Sequence, residues 1–194
     1  MVSCFKGKFK VTSPRAYRTL SGKREYHPGL DLVGIDNKTV YAIADGKIDA
    51  THYEANGFGY YIRQLLPDGR RIYYGHLAKG SICVKSGQIV KSGDKLGTMG
   101  STGRSTGAHT HIELRVQGTS KTSLDIAEFC GIPNKVGTYE YTPEMSQKEK
   151  HAYAVDCACK LENKTKLSKD TLKWLWTYKY ADDLFIKLWQ GMEG

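Results

Sequence analysis

The sequence predicts a mainly antiparallel β domain followed by a small α-helical unit at the C-terminus. Up to about residue 118, short alternating runs are broken by Gly, Asn and Asp, as in strands joined by tight turns. Beyond residue 140, the apolar residues recur at roughly helical spacing instead. A chain of 194 residues is long enough for one sizeable core and a small appendage. We therefore predict a β domain over residues 1–140 and a helical unit over residues 141–194.

The predicted strands follow one another along the first 118 residues. The run "GKFKVTSP" alternates as a half-buried strand does. In "TVYAIADGKIDATHYE", two strands are predicted on either side of a turn at Asp45-Gly46. The run "GYYIRQLLPDGRRIYYGHL" repeats this pattern, with its turn at Pro67-Asp68-Gly69. A Gly-rich meander, "GQIVKSGDKLGTMGSTG", leads to a final strand, "HTHIELRVQG".

The composition changes near residue 120. The run "SLDIAEFCG" predicts one short helix with Ser123 as its N-cap, and "IPNKVGTYEYTPEMSQKEK" is typical of a linker. A helix in the tail is expected to end near Gly191. Six large apolar residues recur there at roughly helical spacing: Leu172, Leu175, Trp176, Leu184, Leu188 and Trp189.

The formal charge of +9 is concentrated in the β domain. Residues 1–140 hold 20 Lys and Arg against 12 Asp and Glu, whereas residues 141–194 hold 9 against 8. Hydrophobic content of 40% and charged content of 25% are typical of a soluble globular protein. A basic surface suits an anionic partner such as nucleic acid, a membrane or the bacterial cell wall, and charge alone does not choose among them.

Membrane spans and export signals are not predicted. No run approaches the ~20 apolar residues that a spanning helix needs. The first residues have no apolar segment of the kind that a secretory signal carries, so synthesis in the cytoplasm is expected. The five cysteines are odd in number and irregularly spaced, which indicates reduced thiols rather than a disulfide framework. The pair Cys157-Ala-Cys159 is only a weak metal signal.

The run "GAHTHIELRV" carries two histidines separated by one residue. In a strand, residues i and i+2 point to the same face, so His109, His111 and Glu113 are expected side by side. Two such imidazoles can share a metal ion, or one can bind metal while the other transfers protons. Two exposed histidines on a strand edge would produce the same pattern.

A second motif, "YHPGLD", places His27 four residues before Asp31. Pro28 and Gly29 disfavour a helix, so the pair is expected on a strand that follows a turn. Imidazole nitrogen and carboxylate oxygen are both good Zn²⁺ ligands, and one histidine from H-x-H would complete three. Three protein ligands leave a fourth position open, as in catalytic zinc sites. A surface histidine and a turn-capping aspartate are the alternative reading.

Three other histidines stand alone in the sequence. His76 ends the tyrosine-rich run "YYGHL", and a lone histidine there is more often structural than catalytic. His52 and His151 are also lone histidines and are expected to be ordinary, without a catalytic or metal-binding role.

Taken together, "YHPGLDL", "YYGHL" and "GSTGRSTGAHTHIEL" resemble the lysostaphin/LytM-type zinc endopeptidases of metallopeptidase family 23. The resemblance covers roughly residues 9–118 and implies the antiparallel, duplicated-hybrid-motif fold of that family. It implies one Zn²⁺ per chain, held by His27, Asp31 and His111. It also implies that His76 and His109 are the catalytic histidines.

The resemblance adds two further expectations. Glu113 is expected to fix an imidazole from outside the ligand set. A tyrosine hydroxyl completes the oxyanion site in some members, and Tyr17 and Tyr26 lie upstream of His27 without a clear match. The segment "TSPRAYR" departs from the family, because Arg15 and Ala16 stand where Phe and Gly are common.

The resemblance implies a peptidase that uses zinc-activated water to cut peptide bonds in the cross-links or stems of bacterial peptidoglycan. The bond cut, Gly–Gly or D-Ala–diamino acid, stays open. A lysin or virion protein of a bacteriophage, made in the cytoplasm and acting on the wall after lysis or from the virion, fits the missing export signal. Nucleic acid is not an expected partner.

Two alternatives to the peptidase stay open as well. One is a virion structural or wall-binding component in which hydrolysis is secondary, with the helical tail used for docking to virion proteins or for self-association. The other is a non-catalytic activator of other wall hydrolases.

Overall fold

The computed structural model describes residues 1–20, 22–116, 123–144, 147–164, 171 and 181–193. The chain divides into two compact units, Met1–Pro143 and Glu144–Gly194. The first unit is built almost entirely of antiparallel strands, and the second is helical. The fold class predicted from the sequence is therefore confirmed.

The described strands and helices are labelled in chain order. The strands are β1 (Gly7–Ser13), β2 (Ala16–Leu20), β3 (Lys23–His27), β4 (Leu30–Gly34), β5 (Thr39–Tyr41), β6 (Gly46–Glu54), β7 (Gly59–Leu65), β8 (Arg70–Leu77), β9 (Ile89–Val90), β10 (Lys95–Thr98), β11 (Thr110–Val116), β12 (Ser123–Leu124) and β13 (Gly137–Tyr141). The helices are α1 (Ile126–Cys130), α2 (Gln147–Lys164) and α3 (Ala181–Glu193).

One nine-stranded sheet organises the first unit. Its order is β13-β1-β4-β11-β8-β7-β6-β9, with β12 paired to β11, and β2–β3 and β5–β10 form separate two-stranded ribbons. The hairpin of β7 and β8 around Pro67-Asp68-Gly69 is confirmed. The prediction of a hairpin at Asp45-Gly46 is wrong, because β5 pairs with β10, whereas β6 pairs with β7 and β9. The backbone of Ala42, just after β5, is hydrogen-bonded to residues 93 and 94, which draws β5 away from β6.

The central strand β11 separates the core from the polar face of the sheet. Ile112 and Leu114 are buried in the main hydrophobic core. His111, Glu113 and Arg115 are buried as well, but strand alternation puts them on the opposite face. The strand is therefore covered on both sides, on one by apolar packing and on the other by a polar network.

The sequence-based assignments on either side of α1 need correction. Ser123 does not cap this helix, because it lies in β12, paired with Arg115. Asp125 is the N-cap, and its carboxylate accepts hydrogen bonds from the backbone N–H groups of Ala127 and Glu128 at 2.9 and 3.1 Å. An aspartate two residues downstream of the serine competes equally well for the cap position.

The predicted linker contains a strand. Residues 137–141 form β13, an edge strand that pairs in register with β1 from Gly7↔Tyr141 to Val11↔Gly137. Tyr139 and Tyr141 pack against the main core, and Phe9 lies 6.1 Å from Tyr139 between ring centroids. Alternate tyrosines in a polar stretch are enough to fix one half-buried edge strand.

The second unit has its own small core between α2 and α3. The buried residues recur at helical spacing: Ala154, Cys157, Ala158, Leu161, Ala181, Phe185 and Trp189. Gly191 does not end α3, which continues to Glu193, because one glycine costs a helix only about 1 kcal/mol. The predicted helical positions Leu172, Leu175 and Trp176 lie outside the described residues. Among the described helices, none is long and apolar enough to cross a membrane.

Candidate active site

A cleft lies on the polar face of the sheet, beside β4, β8 and β11. It is bordered by the β2–β3 ribbon on one side and by the loop of residues 101–109 on another. The antiparallel register places Asp31 of β4 directly opposite His111 of β11. His27 ends β3, and Pro28 and Gly29 then turn the chain into β4. The fold thus brings both sequence motifs to one point.

Three donor atoms converge at the bottom of this cleft. His27 Nε2 lies 3.1 Å from Asp31 Oδ1 and 3.0 Å from His111 Nδ1, and the third side of the triangle, between His111 and Asp31, is 2.9 Å. All three side chains are buried. A single ion about 2.0–2.2 Å from each donor can touch all three atoms at once.

The opposite edge of each imidazole is already held. His27 Nδ1 lies 2.9 Å from the carbonyl oxygen of Pro14, so it carries the proton and leaves Nε2 free as a ligand. His111 Nε2 lies 3.4 Å from Glu113 Oε2, which leaves Nδ1 free. Two imidazoles, each neutral when its ligand nitrogen binds a metal, and one carboxylate form a donor set that suits zinc, so the residues present fit that metal.

The pKa shifts of Asp31 and His111 in the metal-free protein also favour a cation at this position. Burial by itself would raise the pKa of the Asp31 carboxyl, but hydrogen bonds with His111 and His27 hold it well below its usual value. Burial would likewise lower the pKa of His111, but Asp31 and Glu113 outweigh it and raise the pKa to about 9. A positive charge is therefore favoured at this point whether a proton or a cation supplies it.

The two remaining histidines of the motifs stand beside the donor triangle. His109 Nδ1 lies 2.8 Å from the Gly107 carbonyl oxygen, and His109 Nε2 lies 3.5 Å from Asp31 Oδ1. His76 Nδ1 lies 2.8 Å from the Thr102 carbonyl oxygen. The ring centroids of His76 and His109 are 4.6 Å apart. In each ring, a backbone carbonyl holds the Nδ1–H group and leaves Nε2 able to accept a proton.

His76 has two unusual properties. It is the one described non-glycine residue with a positive φ, at 61°, a conformation that surrounding structure must impose. Its N–H donates to the Phe58 carbonyl oxygen at 2.6 Å, and its ring is held by Thr102. Burial lowers the pKa of His76 to about 4, so the imidazole is neutral at neutral pH.

Several residues behind His111 hold its ring in place, and the sequence motifs identified only Glu113 among them. Glu113 is fully buried and accepts from Arg115 at 2.7 and 2.9 Å. The guanidinium of Arg115 lies over the rings of Tyr73 and Phe58, at 4.4 and 5.0 Å from their centroids. The alternation that links residues 109, 111 and 113 extends to Arg115, so the signal was present in the sequence.

Other sequence candidates lie away from the triangle. Cys157 is buried and Cys159 exposed, and neither belongs to a metal-ligating group among the described residues. His52 and His151 are exposed, on β6 and α2. Of the two upstream tyrosines, Tyr26 borders the cleft, and Tyr17 is 67% exposed on the ribbon. All five cysteines lie among the described residues, and none of them is in a disulfide.

Comparison with known proteins identifies a family for most of the β domain. The model of peptidase family M23 matches residues 25–123. The chain is 36% identical over 110 residues to the peptidoglycan DD-endopeptidase ShyC of Vibrio cholerae, which is 56% of this chain and 24% of ShyC. It is 31% identical over 147 residues to the DD-carboxypeptidase/endopeptidase Mpg of Neisseria meningitidis, which is 75% of this chain and 30% of Mpg.

One further relative is described as an activator rather than an enzyme. The murein hydrolase activator NlpD of Escherichia coli is 30% identical over 113 residues, which is 58% of this chain and 29% of NlpD. The chain spans about a quarter to a third of the length of these three relatives.

Solved structures give the same family. The catalytic domain of lysostaphin from Staphylococcus simulans superposes with a TM-score of 0.55 at 32% identity, covering 63% of this chain and 91% of that domain. The catalytic domain of EnpA, a prophage-encoded M23 protein of Enterococcus faecalis, gives a TM-score of 0.52 at 29% identity, covering 60% of this chain and 88% of that domain.

Proposed function

Because the chain belongs to peptidase family M23, which is zinc-dependent, we propose that it is a zinc endopeptidase acting on peptide bonds of bacterial peptidoglycan. The observation that carries the proposal is the buried triangle of His27, Asp31 and His111 with two carbonyl-anchored histidines beside it. ShyC, a relative named as a peptidoglycan endopeptidase, supports the substrate class.

We assign metal binding to the triangle. A zinc ion held there would act as a Lewis acid toward the scissile carbonyl and would lower the pKa of a water molecule next to it. Asp31 and the two histidines supply one negative charge in total, so they leave the site with a net positive charge when a divalent ion is bound. Glu113 and the Pro14 carbonyl oxygen hold the two imidazoles in the orientation that this role requires.

We assign proton transfer to His109 and His76. Their free Nε2 atoms can accept a proton from the attacking water and pass it to the leaving amine. His109 is the nearer of the two to the donor triangle, through its 3.5 Å contact with Asp31. Burial keeps His76 neutral at neutral pH, so it can act as a base without first losing a proton.

The activator alternative is supported by the similarity to NlpD. It predicts no cleavage by the purified chain and stimulation of a separate wall hydrolase. All five positions that the family uses for metal binding and proton transfer are filled in this chain, which favours the enzyme. Release at lysis, or attachment to a virion through the C-terminal unit, remains a prediction about where the enzyme would act.

Digestion of purified peptidoglycan tests the proposal and identifies the bond. Sacculi with Gly-rich bridges and sacculi with direct D-Ala–diamino acid links are incubated with the purified chain, with and without a chelator. Mass spectrometry then identifies the new amino ends. The proposal expects new amino ends from at least one chemotype, and it expects the chelator to abolish them. Soluble products with no new amino end in any chemotype would contradict it.

A further inference from the structure

The two oxygens of Asp31 have different partners. Oδ1 faces the donor triangle, at 3.1 Å from His27 and 2.9 Å from His111. Oδ2 accepts a hydrogen bond from Nη1 of Arg18 at 3.0 Å. A carboxylate can bind a cation through one oxygen or through both. In this structure the guanidinium occupies the oxygen that a two-oxygen ligand would need.

Arg18 is held on Asp31 by three other contacts. Its Nη1 also donates to the Ser13 hydroxyl at 2.9 Å. Its Nε and Nη2 lie 3.1 and 3.0 Å from a single oxygen of Glu25. Arg18 and Glu25 are cross-strand neighbours in the β2–β3 ribbon, so the fold itself fixes their pairing. All three guanidinium nitrogens are thus committed, and the planar group has little freedom to rotate.

The same glutamate reaches the loop that carries a catalytic histidine. Glu25 Oε2 lies 2.8 Å from Nη2 of Arg104, in the loop of residues 101–109. Side chains of Arg18 and Glu25 are 30% and 25% exposed, whereas Arg104 is 63% exposed. A continuous chain of ion pairs therefore runs from Asp31 through Arg18 and Glu25 to the rim of the cleft.

We propose that Arg18 is a positioning residue that keeps Asp31 a one-oxygen metal ligand, and that Glu25, tied to Arg104, holds Arg18 in place. This inference rests on the metal site of the proposed function. Its consequence is chemical. If Asp31 bound through both oxygens, it would fill a coordination position that a catalytic zinc site keeps open. Arg18 would then preserve room at the metal for water and substrate.

The contacts predict how strongly each residue in this series of ion pairs affects the metal site. Removing Arg18 frees Oδ2 directly. Removing Glu25 leaves Arg18 with Asp31 and Ser13, so a smaller effect is expected. Removing Arg104 leaves both contacts between Glu25 and Arg18 intact. Arg104 is also the most exposed of the three, and an exposed ion pair contributes little. The effect of its removal on metal binding is therefore expected to be the smallest.

Cobalt(II) is the probe that reports coordination number directly. Its visible absorption is intense in four-coordinate sites and weakens as further ligands bind. The full chain is loaded with cobalt in wild-type form and as Arg18→Gln, Arg18→Lys, Glu25→Gln and Arg104→Gln variants. Metal affinity is measured in parallel by competition with a chromophoric chelator. Arg70→Gln is the matched control, because Arg70 also pairs with a carboxylate, Asp68, but lies outside the cleft.

The proposal expects Arg18→Gln to weaken the cobalt absorption, because the freed Oδ2 adds a ligand, and not to lower metal affinity. The loss of a nearby positive charge also favours a bound cation. Arg18→Lys keeps the charge but not the fork of donors, so it is expected to show the weaker spectrum with a smaller change in affinity. If Arg18→Gln fails to fold, Arg18→Lys provides the test. Arg70→Gln is expected to be unchanged in both measurements. Wild-type spectra in both Arg18 variants would overturn the proposal.

The cobalt measurements need no cleavage, so the two proposals can fail separately. A wild-type chain that binds cobalt but cuts no peptidoglycan would contradict the proposed function and leave the spectral test in force. A wild-type chain that cuts peptidoglycan, with Arg18 variants of unchanged spectrum, would overturn only the role of Arg18.

Discussion

His111 lies directly opposite Asp31 in the register between β11 and β4, and its Nδ1 atom lies 2.9 Å from Asp31 Oδ1. Two residues 80 positions apart in the sequence are thus joined by one strand pairing. Pairing shifted by one residue would turn one of these side chains into the apolar core. The proposed metal site is therefore a consequence of sheet register, and it forms only when the β domain has folded.

Replacing Asp31 by alanine is expected to abolish most metal binding, because it removes one of the three proposed protein ligands and the only negative one among them. Zinc content per folded chain, measured by atomic emission after dialysis, checks this. Asp68→Ala is the control, since Asp68 is an exposed turn residue paired with Arg70. Stoichiometric zinc in a folded Asp31→Ala protein would show that Asp31 is not a ligand.

Alanine at His76 or His109 is expected to leave zinc in place and to lower the cleavage rate by about 10²–10⁴-fold, the usual cost of losing a positioned acid or base. Zinc content and the initial rate on a soluble cross-linked peptide are measured together. His52→Ala, an exposed histidine on β6, is the matched control. Loss of metal from His109→Ala with retention by His111→Ala would reverse the roles of the two residues.

Metal affinity is expected to rise with pH up to about 9. The pKa of His111 is raised to about 9 in the metal-free protein, so at pH 7 its imidazole carries a proton that the metal must displace. One displaced proton makes the apparent affinity increase about tenfold per pH unit below that pKa. Competition titrations between pH 6 and 9 check the slope. An affinity independent of pH over this range would mean that His111 is already neutral.

Gly29→Ala is expected to damage the metal site through packing alone. A Cβ atom at this position would clash with the Ile112 carbonyl oxygen and would lie 2.7 Å from His111 Cε1. Overpacking of this kind costs about 1–3 kcal/mol of stability, and relief would require both the Ile112 backbone and the His111 ring to move. Thermal melts and zinc content measure both effects. Gly97→Ala, whose nearest neighbour would be 3.3 Å away, is the milder control.

Removing residues 144–194 is expected to leave zinc binding and cleavage of a short soluble peptide unchanged. The cut follows the boundary after Pro143, because an earlier one would remove part of β13 and expose the edge of β1. We propose that the removed unit acts outside the active site. Weaker retention on intact walls would indicate a docking role, and a change of mass in sedimentation would indicate self-association. A folded, zinc-loaded truncation that cuts no soluble peptide would show that the unit contributes to catalysis.

The sequence predicted the parts of the site that depend on local spacing. Alternation along β11 placed His111 and Glu113 on one face, and the Pro28-Gly29 turn placed His27 near Asp31. Arg18 could not be assigned in this way, because its contact with Asp31 depends on how a separate ribbon folds over the cleft.

Errors at the level of the fold have the same origin. The Asp45-Gly46 sequence is a good local turn, but pairing of β5 with β10 prevailed over the local signal. The Ser123 cap was displaced by Asp125, and a strand was overlooked at residues 137–141 because its partner, β1, lies more than 120 residues away. Local propensity identifies candidate strands and caps, and tertiary pairing decides among them.

The most direct test of the central claim is the zinc dependence of new amino ends released from one purified peptidoglycan. Wild-type chain, chelated chain, chelated chain with zinc restored, and Asp31→Ala are compared in the same assay. We predict release by the wild-type and zinc-restored samples, and none above background by the other two. Equal release by Asp31→Ala, or release that survives the chelator, would contradict a metal-dependent peptidase built on His27, Asp31 and His111.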